Sequence, residues 1–402
     1  MVAAMSASSE PSDIRTLAVH AGRDDLKELG VHAVPIDMST TNPLPSIESG
    51  RDAYDAYAAG QRPQPGMSWV YRRAWNPTVA RFEDAVAALE SHGVFDAQAE
   101  AVAFASGMAA ATAVFLSRVA AGRPHVIAVR PLYGGTDALL KADLLGTQVS
   151  YVHPDEVATA ITEQTGLVMV ETPSNPTLDL RDIVDVVRQA GEVPVMVDNT
   201  FATPVLQRPL RLGATYVLHS ATKYIGGHGD AMGGVVVASP EDAEALRPIR
   251  TVTGGVLDPW SAYLLHRGLA TLPLRVRAQQ ETAQVVAAWL AQHPACETVF
   301  YPGLRCGDPL GLIGTQMSGP GAMLGFDLGG FREAEHVCGA LKLVTHAVSL
   351  GGVDTLIEHP AALTHRVVEE SAQPGAGVLR MSIGLESAQD LIADLDQALR
   401  HV

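Results

Sequence analysis

Short β-rich runs recur through the middle of the chain, at 102–104, 125–129, 148–152, 167–170, 193–197 and 216–218, and several are continuously apolar. A strand with apolar residues on both sides must be covered on both faces. Helical periods lie between these runs. In 181–190, for instance, Ile183, Val186, Val187 and Ala190 fall at i, i+3, i+4 and i+7. Such alternation predicts an α/β unit with a mainly parallel sheet over 76–258. From 259 the pattern changes. A long helical stretch over 260–292, interrupted near Leu272-Pro273, precedes strand-like runs at 321–328 and 378–383 and helices at 333–341 and 388–399. These predict a smaller α+β unit over 259–402. Residues 1–75 read as an N-terminal arm and intersubunit segment. Its stretch from 17 to 75 is rich in Pro and Gly (Thr-Thr-Asn-Pro-Leu-Pro at 40–45, Arg-Pro-Gln-Pro-Gly at 62–66) and is expected to be irregular, wrapping another unit or subunit. Residues 1–13 are expected to be disordered.

Composition narrows the partners. A net charge of −16 argues against nucleic acid or an anionic membrane. Helix N-termini and local cations can still hold small anions on an acidic protein. Cys296, Cys306 and Cys338 form no C-x-x-C pair and no even disulfide framework, which points to a reducing cytoplasm. The N-terminus has no secretory pattern, and the uncharged stretch 101–117 reads as a buried strand followed by a helix rather than a membrane span. A soluble protein is expected.

The chemistry concentrates at predicted strand ends. The run 216–218 leads into His219-Ser220-Ala221-Thr222-Lys223-Tyr224-Ile225-Gly226-Gly227-His228. A lysine so placed is held beside backbone that glycine lets come close. Lysine amines form Schiff bases with carbonyl compounds, and pyridoxal phosphate (PLP) is the commonest carbonyl held this way. Ser220 and Thr222 can donate to its phosphate. Asp198 ends the run 193–197, where a carboxylate can hold the proton of a pyridine nitrogen. Ser106-Gly107-Met108 opens a helix whose first N–H groups can bind phosphate. Tyr133 can stack on the cofactor ring, and Asn175 can bond its phenolic oxygen. Tyr71 and Arg73 add a hydroxyl and a cation from the irregular arm. His219, His228, Glu358 and His359 have no metal-ligand spacing and are read as structural, so no metal site is expected.

Read together, Tyr-x-Arg-x-x-Asn-Pro-Thr, Ser-Gly-Met, Glu-Thr-Pro-x-Asn-Pro, Asp-Asn-Thr-Phe, Ser-Ala-Thr-Lys-Tyr-x-Gly-Gly-His and Ser-Leu-Gly-Gly occur in this order. His-Pro-Ala-Ala-Leu-Thr-His at 359–365 and Leu-Arg-Met-Ser-Ile-Gly-Leu-Glu at 379–386 follow. From about residue 17 onward the set resembles the trans-sulfuration, or Cys/Met-metabolism, family of fold-type I PLP enzymes. The resemblance implies Lys223 as the Schiff-base lysine, Asp198 on the pyridine nitrogen and Tyr133 on the ring. It implies a phosphate site of Gly107, Met108, Ser220 and Thr222, completed by Tyr71 and Arg73 of a neighbouring subunit. Arg380 would grip the substrate α-carboxylate, with Ser349 and Thr364 nearby. Members are usually homotetramers built from dimers that share active sites.

Within that family, cystathionine-handling γ-enzymes commonly place an acid before Tyr-x-Arg and a Glu before Ser-Leu-Gly-Gly. Val70 and Val348 stand there in this chain. The apolar pair suits a plain thioether, because a distal ammonium buried without a partner is costly. Two departures accompany it: Gly135 where methionine γ-lyases usually carry Cys, and Trp75, expected to narrow or reshape the entrance. The resemblance implies a γ-eliminating lyase acting on methionine or cystathionine and releasing a thiol, 2-oxobutanoate and ammonia. Lys223 would move the α- and β-protons. Tyr133 would protonate the leaving sulfur, its pKa lowered by nearby cations. The same residues would serve a γ-replacement transferase, an O-acyl-homoserine sulfhydrylase or cystathionine γ-synthase, as the alternative.

Overall fold

The structure, a computed structural model, describes residues 13–64, 66–93, 99–366, 368, 373–400 and 402. Seven strands form its larger sheet: β1 (Glu100–Phe104), β2 (His125–Val129), β3 (Gln148–Val152), β4 (Thr165–Glu171), β5 (Val195–Asp198), β6 (Tyr216–His219) and β7 (Gly234–Ala238). Their order is β1-β7-β6-β5-β4-β2-β3. The pairs β2–β3, β2–β4, β4–β5 and β5–β6 are parallel, while β7 lies antiparallel to both β6 and β1. The fold is therefore α/β with a mainly parallel sheet, as the alternation predicted. β7 was not singled out in the sequence. Its Gly-Val-Val-Val-Ala run shares no helix-separated spacing with the others, and it enters the sheet by long-range pairing with β1.

Side-chain alternation explains why these strands are apolar on both sides. Ala101, Ala103, Val217, Val235 and Val237 face a cluster built with Phe82, Val86 and Leu89 of the helix Pro77–Ser91. Val102, Phe104, Met196, Leu218 and Val236 face the opposite layer, with Val114 and Phe115 of the helix Gly107–Ala120. Either face stripped of its helices would leave a row of large side chains in water.

A second sheet comprises β8 (Thr298–Phe300), β9 (Met323–Asp327), β10 (Thr345–His346), β11 (Leu356–Glu358) and β12 (Val378–Ser382), in the order β10-β11-β12-β9-β8. The helices Leu272–Leu290, Phe331–Ala340 and Ala388–Leu399 pack against it and one another. The predicted break near 272 separates the helix Pro259–Leu269 from Leu272–Leu290.

Two findings differ from expectation. The segment 17–75 is not wholly irregular. Asp13 caps a helix Ile14–His20, and a reciprocal Ser46–Ser49 capping box starts Ile47–Ala58. The latter buries only Gly50 and Ala53 and leaves Ile47 95% exposed, so its hydrophobic period is weak. Of the segment 1–13, residues 1–12 lie outside the described residues. Among the described residues no helix is long and apolar enough to cross a membrane.

Candidate active site

Parallel strands end on one side, and loops following β4, β5 and β6 open there onto a cavity of about 500 Å³. This is the edge where ligands bind in open α/β sheets. Register places Glu171 beside Asp198 and Asp198 beside Leu218. The loop after β6 brings in Ser220, Thr222 and Lys223, and the helix Gly107–Ala120 brings Gly107 and Met108. Tyr133 and Asn175 line the same space. From the second sheet and its loops come Ser349, Thr364 and Arg380.

Lys223 Nζ donates to Ser349 Oγ at 2.8 Å. Burial, with Arg380 adding repulsion and Glu358 opposing it, pulls the amine down to about 8. Ser349 pays for its place with a φ of 93°, rare for a residue with a side chain. Its carbonyl accepts from Arg380 Nη2 at 3.0 Å, so one strained residue holds both cations.

Asp198 is held by Thr200, whose N–H and hydroxyl both donate to Oδ1, at 3.1 and 2.5 Å. The same hydroxyl accepts from Ser220 N at 2.8 Å and so ties the ends of β5 and β6 together. Asp198 Oδ2 makes no hydrogen bond to protein among the described residues. Burial raises the Asp198 carboxyl, against the Thr200 bonds and the nearby His219. Burial and then Asp198 raise Glu171 well above the usual carboxylate range. Glu171 is fully used: Tyr133 N donates to Oε2 at 2.8 Å and Asn175 N to Oε1 at 2.9 Å.

The donor set fits PLP. Asp198 offers a buried, half-satisfied carboxylate that a protonated ring nitrogen would complete. The N-terminal N–H groups of the helix Gly107–Ala120 stand beside Ser220, and a Cβ at Gly107 would lie 2.9 Å from Ser220 Cβ, so only glycine permits that approach. Thr222 is less free than expected, its hydroxyl exchanging hydrogen bonds with Gly233 O (3.2 Å) and Gly233 N (3.0 Å).

Arg380 is 3% exposed and crowded with partners. Nη1 donates to Asn175 Oδ1 at 3.0 Å and pairs with Glu358 Oε1 at 3.1 Å, while buried Nε has no partner among the described residues. Asn175 thereby keeps its amide N–H₂ for a ligand acceptor. Thr364 spends its hydroxyl on Glu358 Oε1 at 2.8 Å.

Several readings need correction. Glu358 is not merely structural: it is the counter-ion of the cavity arginine, register partner to Arg380 across β11 and β12. The three histidines read with it do have structural partners: His219 with Glu90 (2.6 Å), His228 with Gly226 O (2.8 Å) and His359 with Ala376 O (2.7 Å). The Tyr133 hydroxyl is raised, not lowered, because burial and Glu358 outweigh Arg380. Trp75 is buried, with the Arg247 and Arg250 guanidinium groups 5.5 and 5.7 Å from its ring, and does not line the cavity. Val70 is also buried and absent from its own chain's cavity, whereas Val348 lines it and is 52% exposed. Tyr71 and Arg73, expected to complete a neighbouring subunit's phosphate site, lie outside the cavity of their own chain. Tyr71 is 45% exposed, and Arg73 donates to Thr251 O at 3.0 Å. Sequence reasoning missed Thr200 and the role of Glu171, although Glu171 follows an apolar run directly and Thr200 lies three residues beyond one.

A profile of the Cys/Met metabolism PLP-dependent enzymes matches residues 15–400, and the chain belongs to that family. It is therefore a PLP-dependent enzyme. It is 56% identical to an L-methionine γ-lyase of Brevibacterium sandarakinum, over 96% of each chain. An L-methionine γ-lyase of Streptomyces avermitilis is 52% identical, over 96% of this chain and 88% of that one. A solved cystathionine γ-lyase of Micromonospora echinospora superposes with a TM-score of 0.83 at 38% identity, covering 96% of this chain and 99% of that one.

Proposed function

We propose that this enzyme is a γ-eliminating lyase that cleaves the Cγ–S bond of methionine, converting methionine and water to methanethiol, 2-oxobutanoate and ammonia. One observation carries the choice of a plain thioether. Among the described residues the only acids lining the cavity are Glu171 and Asp198, both at strand ends, whereas Met232, Val348 and Leu363 are apolar. A distal ammonium would find no free carboxylate there. The 56% identity to an L-methionine γ-lyase supports the same reading.

Bound in the cavity, PLP supplies a carbonyl that condenses with amines and a ring that draws electrons from the substrate's Cα. The protein's own residues do the rest. Lys223 anchors the cofactor, and its amine, near 8, can take up the α-proton and then move a β-proton. Arg380 fixes the α-carboxylate, its Nε, unpartnered among the described residues, being one available donor. Tyr133, its hydroxyl raised by partial burial and by Glu358, holds the proton that the departing sulfur requires. Gly107, Met108, Ser220 and Thr222 take the phosphate, Asn175 the phenolic oxygen and Asp198 the ring nitrogen. In this division 76–258 carries the cofactor, and 259–402 supplies Ser349, Thr364 and Arg380 around the substrate.

Incubation of the holoenzyme with methionine alone, and with O-acyl-homoserine plus sulfide, separates elimination from replacement. Methionine should give equal amounts of thiol and 2-oxobutanoate; activity confined to the second mixture would make the enzyme a transferase. Val348→Glu should shift kcat/KM toward cystathionine by about 10- to 150-fold, the worth of one charge-assisted hydrogen bond of ~1.5–3 kcal/mol. An unchanged ratio would show that this rim position does not choose the substrate.

The outward position of Tyr71 and Arg73 supports a homotetramer in which a neighbouring subunit's pair completes each phosphate site. Mixed Arg73→Ala and Lys223→Ala subunits should then regain about a quarter of wild-type activity, since half of the dimers are hybrid with one intact site each. No recovery after proven subunit exchange would count against sharing.

A further inference from the structure

Asp198 and Ser220 reach the cavity from the ends of β5 and β6, and Thr200 ties those ends together on the cavity side. A second tie lies across the sheet. Side chains alternate along a strand, so His219 faces away from Leu218 and toward the layer of the helix Pro77–Ser91. There Glu90 Oε1 lies 2.6 Å from His219 Nε2 and accepts from Asn199 Nδ2 at 3.0 Å. One carboxylate oxygen thus holds the residue after Asp198 and the residue before Ser220. None of Glu90, Asn199 and His219 lines the cavity.

The network continues through Gln207. Asn199 Nδ2 also donates to Gln207 O at 2.9 Å, and Gln207 Nε2 donates to Asn199 Oδ1 at 2.9 Å and to Thr172 O at 3.0 Å. It therefore reaches the loop after β4, which carries Asn175. Glu90, Asn199, Gln207 and His219 are all buried, so water does not replace a bond lost among them. Packing alone gives no reason for a carboxylate at 90. The same helix turns apolar Phe82, Val86 and Leu89 into this layer, and burying an acid beside them is costly. Glu90 Oε2 and His219 Nδ1 even lack hydrogen-bond partners among the described residues. A group kept at such a cost calls for a role beyond filling space.

We infer that Glu90 is a positioning residue for the cofactor's ring-nitrogen acid: through Asn199 and His219 it fixes, from the far face of the sheet, where Asp198 and Ser220 stand. The inference rests on the roles proposed for Asp198 and Ser220 above. Burial raises the Asp198 carboxyl while the Thr200 bonds and His219 oppose the rise, so a displaced His219 would also remove one support of the acid. A shift of ~1 Å at such a group costs on the order of 10²-fold in rate.

The test uses holoenzyme reconstituted with PLP isotopically labelled at the ring nitrogen, whose NMR resonance reports the proton there. Glu90→Ala should move that resonance toward the unprotonated position and weaken PLP binding by about tenfold or more. It should lower kcat for methionine by about 10- to 100-fold with KM within about threefold. Glu90→Met fills the volume without an acceptor and serves where Glu90→Ala does not fold. His219→Ala, breaking the second link, should move the resonance the same way. Glu90→Gln keeps an acceptor for Asn199 and should return kcat and PLP affinity to within about threefold of wild type. A folded Glu90→Ala or Glu90→Met protein with the wild-type resonance and PLP affinity, whatever its stability, overturns the inference. So does a Glu90→Gln protein as impaired as Glu90→Ala. An Asp198→Asn holoenzyme whose resonance stays at the wild-type position would instead remove the acid's own role, a separate failure seen without any change at Glu90.

Discussion

Replacement of Lys223 by Ala should reduce turnover of methionine by at least about 10³-fold, since one amine both anchors the cofactor and moves protons. The loss should come without unfolding. Among the described residues the Lys223 side chain makes one hydrogen bond, to Ser349, and burial already disfavours its charged form. The depressed amine, near 8 rather than 10.5, has a consequence that needs no turnover. Only the neutral amine condenses with PLP, so reconstitution of the apoprotein should quicken about tenfold per pH unit up to 8 and level off above it. The sign for stability follows from proton counts. Between pH 8 and 10.5 the unfolded chain holds a proton that the folded chain has lost, so apoprotein stability gains from this group as pH rises through that window. Lys223→Ala should remove that gain. Rapid mixing with PLP across pH 6–10, followed by absorbance, tests the first point, and denaturant melts of both proteins test the second.

Arg380→Ala should fail in two measurable ways. Its guanidinium and the Glu358 carboxylate are 3% and 1% exposed, and removing one leaves the other buried without its counter-charge. Stability should fall by about 3–5 kcal/mol. Loss of two charge-assisted hydrogen bonds to the substrate carboxylate, at ~1.5–3 kcal/mol each, should lower kcat/KM by about 10²- to 10⁴-fold. Arg380→Lys separates the effects. It keeps the charge beside Glu358 and should recover most of the stability, but it lacks the planar fork and should recover less of kcat/KM. Parallel denaturant titrations and steady-state kinetics check both numbers. Destabilised Arg380→Ala protein with undiminished kcat/KM would confine this arginine to the fold.

Legibility of this site in the sequence follows the range of the interactions. Lys223, Ser220 and Asp198 could be placed because each follows an apolar run within a few residues, and parallel strands bring such ends together. Contacts formed across the sheets could not be read in the same way. Glu358 meets Arg380 only through the pairing of β11 with β12. Thr200 links Asp198 to Ser220 only because β5 lies beside β6. β7 is hidden in the sequence for a similar reason, its place beside β1 being set by long-range antiparallel pairing. Motif position alone sets the expectations for Trp75 and Val70, whose side chains are buried in their own chain. The Tyr133 pKa was misjudged because counting nearby cations omits burial, the larger effect here.

Substrate choice bears most directly on the proposed reading, since lysine, pyridine acid and carboxylate fork serve every γ-reaction of the family. The decisive measurement is the ratio of kcat/KM for methionine to that for cystathionine in the wild-type holoenzyme, with 2-oxobutanoate and the released thiol both quantified. An apolar rim at Met232, Val348 and Leu363 predicts a ratio favouring methionine by about tenfold or more, the equivalent of one missing charge-assisted hydrogen bond. A ratio strongly favouring cystathionine, or no 2-oxobutanoate from methionine, would contradict it.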